Sequence, residues 1–148
     1  MLMERLKIMS SAVLIADKPS EHTETYRRFL AREGHRVFTA ATLDDAAILL
    51  DKTPCSVAII GSALVDDPDS LLLQTMKKNS RGCKFVLLTP FFDAEVFLNV
   101  LHGSVFHECL VSPLELSLLG DVIHHLIYLD EEARGKIYEL TSSLDIVQ

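Results

Sequence analysis

What most constrains this chain is the alternation of short apolar runs with helix-compatible segments. Ala12-Val-Leu-Ile-Ala16 is apolar throughout, the pattern of a strand buried on both faces. Further strands are expected at Arg36–Ala40, Ser56–Gly61, Lys84–Thr89 and Glu108–Val111. Ser20 is placed to cap a helix running to about Glu33. Tyr26, Phe29 and Leu30 share one side of it, and Gly34 stops it. Thr42-Leu-Asp-Asp45 opens a second helix through Leu49, Leu50 and Lys52, ended by Pro54. Asp69 or Ser70 caps a third over Leu71–Asn79. A fourth covers Asp93–His102 before Gly103, and a fifth begins at Pro113, a residue suited to a first helical position.

Strand and helix in strict succession predict an α/β domain of (βα)5 type. Its parallel five-stranded sheet is doubly wound, with helices on both faces and right-handed crossovers. In such a sheet, ligands and chemistry gather at the carboxyl ends of the strands. Those ends are Asp17-Lys18, Gly61-Ser62, Thr89-Pro90 and Ser112-Pro113. The expected organisation is an N-terminal arm over 1–10, one domain over 11–130 and a helical extension over 131–148.

The chain has 148 residues, enough for one sizeable core, and a net charge of −7. That charge argues against a broad surface for nucleic acid or for anionic membrane. No apolar run approaches membrane-span length. The first nine residues intersperse charges among apolar residues and make a poor signal peptide. Cys55, Cys83 and Cys109 are far apart, with no Cys-x-x-Cys pair. They read as small apolar residues of a reducing cytoplasm, not as a disulfide or zinc framework.

The strand-end residues resemble those of the response-regulator receiver family, from about Ser11 to Leu129. Receivers carry an acidic pair after the first strand, and the matching residues are Asp17 and Lys18. The family's phosphoacceptor aspartate matches Gly61. Its Thr/Ser after the fourth strand is kept as Thr89. The lysine before the proline after the fifth strand matches Ser112, with Pro113 retained. The aromatic switch position falls near Cys109. The resemblance implies a flavodoxin-like, CheY-like fold and a place in two-component signal transduction. It also implies that the phosphorylation site is degenerate. Aspartyl phosphorylation needs a carboxylate nucleophile, a Mg²⁺ ion bound largely by carboxylates, and a cation for the phosphoryl oxygens. Gly61 has no side chain, Lys18 puts an ammonium beside Asp17, and Ser112 removes the cation. No catalytic residue, metal or cofactor is therefore expected.

The surviving polar residues have plainer readings beside the functional ones. Asp17 serves as a strand-end carboxylate or helix cap, and Thr89 as a loop hydrogen-bonder. Ser62 is either a loop residue or a hydroxyl acceptor for a kinase. Asp66-Asp67-Pro68-Asp69 lacks the glycine and closing glutamate of a calcium loop and reads as a solvated turn before a helix. The six histidines form no metal pattern. Phosphate-binding, dinucleotide and nucleophile-elbow motifs are absent from the sequence.

Two features suit a protein partner. Phe91 and Phe92 follow the fourth strand, where receivers commonly meet partners; there the rings either complete the core or lie exposed for binding, with Cys109 nearby. The last helix carries Val122, Leu126, Leu129, Ala133, Ile137, Leu140 and Leu144 at spacings of four and three. Running to Leu144 it would be roughly 45 Å long. It would then project and pair with a second chain as a homodimer, or break at Gly135 and fold back. The reading is a phosphorylation-independent signalling module without enzyme activity, with no nucleic acid or membrane as partner. Its rivals are the regulatory input domain of a longer response regulator and a small-molecule-binding domain using the strand-end crevice.

Overall fold

A computed structural model describes residues 11–67, 70–80, 82–95, 98 and 105–128. In chain order the elements are β1 (Ala12–Ala16), α1 (Glu21–Arg32), β2 (Arg36–Ala40), α2 (Leu43–Lys52) and β3 (Val57–Gly61). A short 3-10 turn (Ser62–Leu64), α3 (Leu71–Asn79), β4 (Lys84–Thr89) and β5 (Glu108–Val111) follow. A final helix occupies the described residues 116–128. The five strands form one parallel sheet in the order β2-β1-β3-β4-β5.

The apolar runs explain this order. β1 and β3 are buried at every position and lie inside the sheet, whereas β2 is only partly buried and lies at its edge. Successive residues of β1 point to opposite faces. Ala12, Leu14 and Ala16 join a cluster with Ala46 and Leu50 of α2 and Leu73 and Met76 of α3. Val13 and Ile15 join Tyr26 and Leu30 of α1 and Leu119, Ile123 and Leu126 of the final helix. Each fully buried aliphatic side chain contributes about 1.5–3 kcal/mol relative to exposure, so the two-sided burial of β1 anchors both layers.

The helix starts follow their caps. Ser20 accepts the Thr23 N–H, and the Thr23 hydroxyl answers the Ser20 N–H, closing a capping box. Thr42 accepts from the Asp45 N–H. Ser70, of the two candidates, caps α3 through the Leu73 N–H. Gly34 ends the α1 turn at φ +95°, a backbone region open to glycine.

Two expectations need correction. The final helix begins at 116, not at Pro113: its first turn is closed by the Leu119 N–H on the Glu115 carbonyl, while the Leu114 N–H before it bonds to the Tyr26 hydroxyl. Leu126, read as part of a partner-facing stripe, is 5% exposed and packs against the sheet. The spacing of four and three is, over the described residues, the stripe that faces the core. The arm over 1–10, most of the Asp93–His102 helix, and Leu129, Ala133, Gly135, Ile137, Leu140 and Leu144 lie outside the described residues. Among the described residues no helix is long and apolar enough to cross a membrane.

Candidate functional site at the strand ends

In this strand order the direction of winding reverses between β1 and β3, which places a crevice at their carboxyl ends. Asp17 follows β1 there, and Gly61 ends β3 beside it. A Cβ built on Gly61 would lie 2.1 Å from Asp17 Oδ1 and 2.2 Å from its Cγ. The Gly61 backbone is ordinary extended chain, φ −70° and ψ 137°. What sets position 61 apart is space, not conformation: a side chain there would meet the Asp17 carboxylate, which would have to turn aside. The Asp17 carboxylate fills the volume from which any side chain at 61 would start.

Asp17 is half-buried, and its Oδ1 accepts the Lys18 backbone N–H at 2.8 Å. Burial pushes its carboxyl above the ordinary range, against the smaller lowering by that hydrogen bond and by the Lys18 charge. Lys18 is exposed and meets Asp17 mainly through its backbone.

The fifth strand end is closed differently. Tyr26, 2% exposed on α1, spans the second layer to reach it. Its hydroxyl lies 3.0 Å from Ser112 Oγ and accepts the Leu114 N–H at 2.9 Å. Ser112, where the resemblance places a lysine in receivers, thus engages α1. Sequence reasoning assigned Tyr26 to the helix core and missed this role. Its hydroxyl was the signal, since a buried tyrosine must find a polar partner for it.

Thr89 at the end of β4 is occupied by its own loop. Its hydroxyl donates to the Phe91 carbonyl at 3.2 Å and lies 3.4 Å from the Phe91 N–H. Phe91 and Phe92 do not complete the core; they are 77% and 65% exposed. Phe106 does, at 3% exposure. Behind the two exposed rings lies a cavity of about 310 Å³, bordered by Ser62, Val65, Leu87, Thr89 and Cys109. The crevice joining Asp17, Lys18, Ser62, Thr89 and Ser112 is smaller, about 250 Å³. The structure therefore brings Asp17, Lys18, Gly61, Thr89 and Ser112 together, and sets Phe91, Phe92 and Cys109 along the neighbouring rim.

A divalent cation of the kind receivers use does not fit these residues. Mg²⁺ needs a near-octahedral oxygen set and takes carboxylates. One carboxylate remains, its neighbour is an ammonium, and the third position has no side chain. Among the described residues no group of three or more His, Cys, Asp or Glu is placed to hold a metal. The cysteines are free. Burial pushes the Cys83 thiol up to about 12 and raises Cys55 and Cys109, so all three stay protonated at neutral pH.

No family model matches the sequence, and no curated protein does. Solved structures match throughout the domain. A two-component response regulator from Clostridium difficile superposes with a TM-score of 0.70 at 20% identity, covering 80% of this chain and 97% of that one. A CheY-like receiver domain protein from Methanospirillum hungatei gives 0.69 at 21% identity, covering 83% and 98%. NtrX from Brucella abortus gives 0.74 at 17% identity, covering 86% of this chain but 29% of that longer one. With its strand order, its crevice and these superpositions, the chain has the CheY-like fold of response-regulator receiver domains.

Proposed function

We propose that this chain is a phosphorylation-independent receiver-like signalling module that acts through protein–protein interaction and catalyses no reaction. The observation that carries the reading is the Asp17 carboxylate seated where a side chain at 61 would begin. Loss of an acceptor by itself would leave a gap; here the gap is filled from within. Ser112, tied to Tyr26, supports the same reading, because it removes the cation that would steady an incoming phosphoryl group. Exposed Phe91 and Phe92 supply the aromatic surface that protein partners use.

The experiment is incubation with acetyl phosphate and Mg²⁺ followed by intact mass. The mass should stay unchanged. A stoichiometric gain of one base-labile phosphoryl group overturns the reading. The partial coverage of NtrX favours a second setting for the same module, the input domain of a longer regulator. A longer reading frame in the native gene would establish that setting.

A further inference from the structure

We propose that the cavity behind Phe91 and Phe92 receives an apolar side chain from a basic peptide segment of a partner protein. The inference rests on the interaction-module reading and gives it a site. At about 310 Å³ the cavity lies at the lower end of ligand-site volumes, roughly 300–1,000 Å³. That suits one large side chain with its flanking backbone. Its apolar wall is Val65, Leu87, Phe91, Phe92 and Cys109. Burying an aliphatic or aromatic anchor there removes apolar surface on both partners from water.

Charge selects the rest of the segment. The described residues bordering the cavity include two exposed carboxylates, Asp66 and Asp93, and no Lys, Arg or His. Asp67 and Glu95 are exposed next to them in sequence, and the whole chain carries −7. An acidic segment would be repelled, whereas one with Lys or Arg beside its anchor would be drawn in and held at the rim. The Thr89 hydroxyl bonds the Phe91 backbone and so ties down the start of the loop that carries the rings, which lowers the ordering cost of binding.

A random-sequence peptide library displayed on phage, selected against the immobilised full chain, tests this. The enriched peptides should share an aromatic or large aliphatic anchor within a few positions of Lys or Arg. A synthetic copy should bind less tightly as salt rises. Its Kd should rise about tenfold or more in Phe91→Ala, which removes an exposed ring, and in Cys109→Phe, which fills the cavity. Asp66→Asn should weaken it several-fold, and Leu71→Ala, at an exposed position on α3, should leave it unchanged.

Failure to enrich any motif, selection of neutral or acidic peptides, or binding indifferent to Cys109→Phe overturns the proposal. Self-association abolished by Cys109→Phe assigns the cavity to a second copy and overturns it as well. None of these results touches the phosphorylation-independent reading, which the acetyl phosphate experiment tests by itself.

Discussion

Two halves of one strand-end edge behave in opposite ways. Around β1, β3 and β5, the positions that match the receiver nucleophile and cation are taken up by this chain's own groups. Asp17 takes the space at Gly61, and Tyr26 holds Ser112 and the Leu114 N–H. Around the end of β4, Phe91 and Phe92 face solvent over a cavity. The contrast teaches that positions matching a chemical site can be occupied by the chain's own groups. In the first half a shallow crevice of about 250 Å³ remains, but its polar groups are engaged within the chain; in the second, two aromatic rings stand exposed over a cavity.

The harshest way to break the comparison is Gly61→Asp. It restores the family's residue type but drives a Cβ into Asp17 and sets two carboxylates side by side. We expect a loss of about 1–3 kcal/mol in urea unfolding from overpacking alone, with like-charge repulsion adding to it, and still no phosphoryl gain. Unchanged stability would mean that Asp17 swings away freely and that the first half is not packed. Tyr26→Phe should come next, at about 1 kcal/mol, with faster hydrogen exchange at the Leu114 amide.

Asp17→Asn sharpens the contrast through its sign. Burial raises the Asp17 carboxyl above its ordinary 3.8, so the fold favours the protonated form. That contribution is complete below the unfolded value and is lost as pH rises through the folded one. Asn keeps an acceptor for the Lys18 N–H and never ionises. The variant should melt above the parent at neutral pH, and the gap should close as pH falls below about 4. Phe91→Ala, in the open half, should change stability least, within about 0.5 kcal/mol.

Sequence alone carried most of the fold, because β1, β3 and β4 are buried on both faces and so appear as largely apolar runs. The bounds of β1, β2, β4 and β5 agree with the sequence reading, and β3 differs by the single residue Ser56. Ser20 and Thr42 were legible as caps, and Ser70 as one of two candidates with Asp69, because short polar side chains before an apolar period have few other uses. The closure of the site was less legible. Gly61 announced a missing nucleophile, but a lone glycine says nothing about what occupies the space. That depends on β1 and β3 being neighbours, a pairing of residues 44 positions apart. The Tyr26–Ser112 contact, across 86 positions, is invisible for the same reason. Leu126 misled because an apolar helical stripe looks alike whether it faces a sheet or a second chain.

The most direct test of the central claim is an amide NMR titration with Mg²⁺ and beryllofluoride, a phosphoryl mimic. A site filled by Asp17 should leave the Lys18, Gly61, Ser62 and Thr89 amide signals in place at millimolar additions. Saturable shifts at those four amides would show a working phosphoryl site and contradict the account.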